Sequence, residues 1–395
     1  MQGDTSSDAE DASEAPTDWT TIVATVVAAS AFAAEQGVTY PLISLMLERS
    51  AVDTWLIGLN VAFFTAGLAL AALWICYFLP LFSLKTLMWV GLVGSGVSLL
   101  AFYVTDSFLV WCISRFILGF FASITYVASE AVIQSSTPDS IRGRVSGFYA
   151  AGISFGFAIG PVAIPIFGTE SKAAFLAVAI YVLVVAVLVM VLVKKGSTRV
   201  KTEEQSGVLR WIYWAPSIFL MALAFGYADT VAISLMPVFL VQEGHSETFA
   251  AFTVTMNALP TVIAQPFVGL ILDRFARELV AMACCVVTAA CFFMLAVVTE
   301  PAIMLFGYAV IGICTLALYT CALTLLGERY TGADLVAGSG ALSLGYALGG
   351  VATIATSILM SVAGAHAAPI SVGLLMLAFV VPFGLSRSSG QSNAS

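Results

Sequence analysis

Residues 172–193 read KAAFLAVAIYVLVVAVLVMVLV, and residues 194–210 read KKGSTRVKTEEQSGVLR. Beyond Lys172 the first stretch carries no charge for 21 residues. About 20 apolar residues in a helix cross a bilayer, so this stretch reads as a membrane span that stops at a polar, basic loop. Working outward in both directions, eleven more such segments are bounded by charges, Gly/Pro or short polar runs. The twelve lie near 20–46, 56–79, 86–105, 107–135, 141–167, 172–193, 211–242, 247–272, 278–298, 301–328, 333–362 and 366–385. The 194–210 loop therefore separates two halves of six spans. Strand-period alternation is absent, which argues against a β-barrel. The expected class is an all-α integral membrane protein.

Composition agrees. Apolar residues make up 60% of the 395 and charged residues 10%, against about 45–50% and about 25% in soluble domains. Too little polar surface is left to cover a water-soluble fold of this size. Seven Cys are too sparse for a disulfide scaffold. The expected organisation is an acidic, disordered tail at 1–18 (MQGDTSSDAEDASEAPTD), a six-helix bundle at 19–193, a linker at 194–210, a second bundle at 211–386 and a tail at 387–395. Residues 1–18 hold no Lys or Arg, unlike a signal peptide.

Lys and Arg accumulate in cytoplasmic loops. With twelve spans and both termini inside, the inside loops hold Lys85, Arg142, Arg144, Lys194, Lys195, Arg199, Lys201, Arg210, Arg274, Arg277, Arg329 and Arg387. The outside loops hold Arg49 and Lys172, and Arg115 falls within a span. This asymmetry predicts a multi-pass protein with both termini cytoplasmic, and the compact loops favour a bacterial inner membrane.

Sliding one half over the other at an offset of 193 brings Gly119 onto Gly312, Tyr126 onto Tyr319, Gly147 onto Gly340, Gly152 onto Gly345 and Gly156 onto Gly349. Two six-span halves related along the membrane normal mark a transporter architecture with its substrate site near the midplane, between the halves.

Three motifs carry a family resemblance. GLILDRFAR at 269–277 matches a loop pattern G-x-x-x-D-R-x-G-R through Gly269, Asp273, Arg274 and Arg277, with Ala276 where Gly is usual. Its first-half copy at 77–85, YFLPLFSLK, has decayed, with Pro80 in the place of Asp273. WCISRFILGFFAS at 111–123 contains Arg115 and Gly119 as R-x-x-x-G. Gly147, Gly156, Gly160 and Pro161 match the start of an antiporter motif whose final Gly pair is replaced by Ile164-Pro165. On these motifs residues 19–386 resemble the major facilitator superfamily, in its proton-antiporting drug-exporter branch. The resemblance implies two pseudo-symmetric six-helix bundles that alternate in access, and a 269–277 loop that latches the halves on the cytoplasmic side, facing Arg142 and Arg144. It associates Arg115 with proton coupling, and the Gly147–Pro161 motif with export.

Four charges fall deep in spans: Glu35, Arg115, Glu130 and Asp229. Such residues mark functional sites by default. Helices one, four, seven and ten line the cavity in the resembling fold, and the four charges lie on three of them. Glu35 and Arg115 differ in depth by about 5 Å at 1.5 Å per residue, so a Glu35–Arg115 pair is expected. Asp229 sits at nearly the depth of Glu35 on the related helix, and the two carboxylates are candidates for carrying a proton or holding a cation. Glu130, near the inner end of helix four, is expected to pair with Arg142 or Arg144, as an inner gate or as a static ion pair. Gln36, Tyr40, Asn60, Tyr126, Tyr227, Asn257, Gln265, Tyr308, Tyr319 and Thr320 are candidate cavity-lining residues.

No nucleotide-binding Gly-rich motif, no metal-ligand spacing of the two His and no catalytic triad arrangement is present, so no enzyme, cofactor or resident metal is expected. The expected partners are a small-molecule substrate, protons and membrane lipids, with no nucleic acid, for a monomeric protein. Three carboxylates against one Arg favour a neutral or cationic substrate. The leading expectation is proton-coupled export. The alternatives are proton-driven uptake of a small metabolite or vitamin, and a non-transporting receptor or scaffold with a transporter fold.

Overall fold

The computed structural model describes residues 18–78, 81–137, 141–193, 208–330 and 332–392, with the Arg142 side chain outside the description. The expectations on the 1–17 tail, Pro80, most of the 194–210 linker and 393–395 therefore lie outside the described residues. Those described form twelve spans: α1 (Trp19–Arg49), α2 (Thr54–Ile75), α3 (Leu84–Val104), α4 (Phe108–Ile133), α5 (Arg144–Phe167), α6 (Ala173–Leu192), α7 (Pro216–Gln242), α8 (Glu247–Arg274), α9 (Arg277–Leu295), α10 (Pro301–Arg329), α11 (Gly338–Ala363) and α12 (Ala367–Gly384). No strand occurs among the described residues. With no water in hydrocarbon, backbone amides must bond within the segment, and helices achieve this.

Local chemistry sets the helix ends. The Asp18 side chain accepts from the Thr21 amide at 3.3 Å and Ser246 from the Phe249 amide at 3.1 Å, each satisfying a donor left free at a helix start. Pro216 and Pro301 occupy first-turn positions, where a missing N–H costs nothing. Gly168 and Gly364, with φ of +71° and +90°, stop α5 and α11 in a conformation that side chains with a Cβ avoid. The helix containing α12 continues to Ser392, past the expected end of the second bundle.

The 193-residue offset is written into the packing. Within the first half, a Cβ on Gly119 would meet the Phe64 carbonyl, one on Gly152 would meet Val26, and one on Gly156 would meet the Ser30 carbonyl. Within the second half, Gly312 faces the Asn257 carbonyl, Gly345 faces Phe219 and Gly349 faces the Leu223 carbonyl. Adding 193 to both members of each first-half contact gives the second-half contact. The glycines thus fix the same α2–α4 and α1–α5 crossings in one half as the α8–α10 and α7–α11 crossings in the other, by letting backbones touch. Gly147 is the exception, since a Cβ there would meet nothing. The run of α5 changes to a 3₁₀ turn at Gly160–Val162 beside Pro161, where Gly160 abuts Gly37 of α1. Across the seam between halves, α2 packs on α11 and α5 on α8.

Candidate functional site

A cavity of about 430 Å³ lies in that seam, lined from both halves. Its polar lining includes Gln36, Ser123, Tyr126, Glu130, Tyr149 and Ser154 from the first half, and Asp229, Asn257, Thr261, Tyr319, Ser343 and Tyr346 from the second. Phe32, Phe157 and Phe225 add aromatic faces. Among the described residues, two carboxylates and no Lys, Arg or His line it.

The second-half carboxylate, Asp229, projects from α7. It accepts from the Tyr346 hydroxyl at 3.3 Å and the Asn257 amide at 3.5 Å. Both bonds are long, so its oxygens keep acceptor capacity. Asn257 is 3% exposed, and its Oδ1 has no hydrogen-bond partner. The offset partner of Asp229 is Gln36, and both line the cavity. The expected counterpart, Glu35, does not. One residue along a helix is about 100° around it, and this turns Glu35 toward α3, where it is 1% exposed and accepts from Ser95 Oγ at 3.2 Å.

The expected Glu35–Arg115 pair is also not formed. Arg115 is fully buried beside the cavity rather than in its lining. Its Nε donates to Asn60 Oδ1 at 3.0 Å, and its guanidinium lies 5.1 Å from the Tyr40 ring centroid and 5.6 Å from that of Phe64. A guanidinium over aromatic faces is held by their quadrupoles, so the ring pair takes the place the carboxylate was expected to fill.

Glu130 projects from α4, and the Arg142 side chain, one of its two expected partners, lies outside the described residues. Glu130 lines the cavity, within electrostatic reach of Tyr126, Tyr149 and Tyr319. It makes no ion pair with any described residue, and Arg144 is exposed. Of the candidate lining residues, Gln36, Tyr126, Asn257 and Tyr319 do face the cavity. The other six do not. Tyr40 and Asn60 surround Arg115. Tyr227 meets the Thr356 hydroxyl at 2.6 Å, Thr320 donates to Gln265 at 3.0 Å, and Tyr308 is buried. Each satisfies or hides its polar atom against a neighbouring helix.

Phe32, Phe225, Tyr149 and Tyr346 were missed, because an aromatic at helical spacing looks like core. The offset would have found the first two: Phe225 is Phe32 plus 193. Phe32 stacks on Tyr126 with centroids 5.3 Å apart, and Phe225 meets Tyr319 at 5.6 Å, the same pair repeated.

Polar links between the halves near the helix ends gather at one end among the described residues. Arg49, at the end of α1, bonds Glu170 and lies 3.9 Å from Glu247 of α8. Thr169 bonds Glu247, and Gln242 donates to Glu48 at 2.9 Å and Thr54 at 3.3 Å. The Trp55 amide donates to Ser361 at 2.9 Å. At the opposite end, that of the basic loops, the pairs among described residues stay within a half. Arg277 bonds Glu328, Arg329 bonds Glu278 at 2.9 Å and Lys85 donates to the Val193 carbonyl at 2.5 Å. Asp273 and Arg274 are exposed and make no ion pair with a described residue. Arg277 of the 269–277 loop is turned to α10, and the Arg142 side chain, one expected partner of this loop, lies outside the described residues.

Among the described residues no three His, Cys, Asp or Glu gather where they could hold a metal ion. The profile of the Major Facilitator Superfamily matches residues 22–216 and 218–393. An uncharacterized MFS-type transporter, YfkF of Bacillus subtilis, is 22% identical over 342 residues, covering 84% of this chain and 85% of that one. The riboflavin transporter RfnT of Brucella anthropi is 26% identical over 271 residues, covering 65% and 68%. In fold, the nucleoside transporter NupG is similar with a TM-score of 0.75 at 11% identity, covering 92% of this chain and 98% of that one. A POT family transporter is similar with a TM-score of 0.77 at 8% identity, covering 94% and 96%.

Proposed function

Because this chain belongs to the major facilitator superfamily and is a multi-pass membrane transporter rather than an enzyme, we propose that it exports a neutral or cationic small molecule in exchange for protons, by alternating access, as an antiporter of the drug-exporter type. The observation that carries this reading is a seam cavity holding Asp229 and Glu130 and lined, among the described residues, by no cationic side chain. A carboxylate away from water favours its neutral form unless a cation or donors replace the lost hydration. Asp229 can therefore hold a proton or a cationic substrate, and the arrival of one releases the other. Glu35 and Arg115, buried beside the cavity, act on the packing of α1 against α3 and α4 rather than on substrate.

The gathering of Lys and Arg in one set of loops supports an orientation with the Arg49 end outside and both termini on the cytoplasmic side of a bacterial inner membrane. The polar links at the Arg49 end then close the outer face, and the protein works as a monomer of two bundles, 19–193 and 211–386. The test is flux in proteoliposomes with an imposed pH gradient. Candidate substrates are first selected by thermal shift. Gradient-driven flux is expected in the native protein and lost in Asp229→Asn; flux that survives Asp229→Asn refutes the coupling assignment.

The similarity to a riboflavin transporter supports a second reading, proton-driven uptake of a vitamin-like metabolite. Right-side-out vesicles separate the two: accumulation inside on acidifying the outside medium supports uptake, and depletion supports export.

A further inference from the structure

The aromatic and polar groups of the cavity form a repeated unit. On α1, Phe32 and Gln36 are four residues apart; on α7, Phe225 and Asp229 are four apart. Residues at that spacing lie one above the other on a helix face, and all four line the cavity. Each half thus offers a ring and, one turn on, a group that reads hydrogen bonds. Each ring packs against a tyrosine of the same half that also lines the cavity, Phe32 stacked on Tyr126 and Phe225 tilted by 42° to Tyr319, with centroids 5.3 and 5.6 Å apart. Each half thus presents a cluster of two aromatic rings to the cavity.

The hydrogen-bonding groups differ in what they still need. Asp229 receives only two long bonds, at 3.3 and 3.5 Å, and an ionised carboxylate has about four acceptor sites. Asn257, nine-tenths or more buried, has an unpartnered carbonyl oxygen beside it. Gln36 supplies an amide from the opposite wall. Adjacent N–H donors on a flat ring satisfy a carboxylate side by side, as two parallel bonds.

Resting on the transport reading above, we propose that the substrate is a planar nitrogen heterocycle, held between the Phe32–Tyr126 and Phe225–Tyr319 pairs with a two-donor edge on Asp229. A cavity of about 430 Å³ is the size of small-molecule sites and admits a two- or three-ring compound. Stacking supplies affinity for any such ring, and the donor edge supplies choice among rings.

The test is equilibrium binding of pterin and lumazine to the purified protein in lipid nanodiscs, read by ligand fluorescence. The two bicyclic rings have nearly the same outline. Pterin carries a 2-amino group next to a ring N–H, and lumazine has an oxygen in its place. Tetrabutylammonium is the non-planar cationic control. Pterin is expected to bind at least tenfold more tightly than lumazine, since a site left with unpaired polar groups rejects the analogue. Phe32→Ala and Phe225→Ala are each expected to weaken both pteridines about tenfold, the scale of one ring–ring stack. Asp229→Asn is expected to erase the preference while keeping the stacking. Equal affinity for the two pteridines, absence of pteridine binding, or unchanged binding in the Phe→Ala variants overturns the proposal. Tetrabutylammonium bound in preference to both pteridines, and moved by a pH gradient, overturns the heterocycle but leaves the transport reading standing. Pteridine bound as expected but never moved refutes only the transport reading.

Discussion

Replacing Arg49 by Gln removes the cation at the centre of the polar links between the two halves. Arg49 reaches Glu170 and Thr169 in its own half and Glu247 in the other. Only the Glu247 contact, at 3.9 Å, opposes separation of the halves. The side chains are 47% exposed for Arg49 and 32% for Glu247. Water and salt screen such a pair, and exposed pairs contribute about 0.2–1 kcal/mol. Opening this end is therefore expected to become about 1.4- to 5-fold more favourable, at about 1.4 kcal/mol per tenfold. The assay is a spin-label distance distribution between Asp53→Cys on the α1–α2 loop and Thr248→Cys on α8, in a background cleared of native cysteines. Arg49→Gln and Glu247→Gln should each raise the long-distance population, and the double variant should add little to either. Added salt at about 1 M, where the screening length falls to about 3 Å, should raise the long-distance population of the native protein and leave the variants nearly unchanged. A native distribution that does not respond to salt, or singles whose effects add in full, would show that Arg49 does not hold this end shut.

Gly119→Ala and Gly312→Ala each drive a Cβ into a facing carbonyl, of Phe64 or Asn257; both are expected to lower stability by about 1–3 kcal/mol, seen as matched falls in melting temperature. Gly147→Ala, with open space at its Cβ, should be neutral or slightly stabilising, so an equal fall there would refute the close-packing argument. Glu130→Gln should weaken a cationic ligand, measured by titration calorimetry, while a neutral ligand of the same shape keeps its affinity. Glu35→Gln, off the cavity, should change substrate affinity less than twofold by the same measurement, and a tenfold loss would put Glu35 back among the binding residues.

The span count was legible because hydrocarbon demands a local property, an unbroken apolar run, that needs no knowledge of neighbours. The offset of 193 was legible through its glycines, since a backbone contact tolerates only one residue type. The site was legible in part. Asp229 stands out by its charge within a span, but charge points to Glu35 as its counterpart, whereas the cavity is lined by Gln36, one position and about 100° away. The offset itself selects the amide. Arg115 was expected to seek a carboxylate, yet Asn60 and two rings surround it, an arrangement that depends on how α1, α2 and α4 come together. Arg49 was counted only toward orientation. Its contacts join loops far apart in sequence, and loops carry no periodicity that would announce such a meeting.

The glycine contacts make the two halves nearly interchangeable as frames, but the groups they display are not. Gln36 stands opposite Asp229, and Leu323 stands where the copy of Glu130 would be. A ligand entering an equivalent pair of walls would have two equally good poses and would settle in neither. Here the acidic groups sit on opposite halves, Asp229 on α7 and Glu130 on α4, so turning a ligand end for end exchanges an acid for an amide on one wall and an acid for a hydrocarbon on the other. The duplicated scaffold thus gives its cargo a single heading, and a compound with identical ends would forfeit that selection.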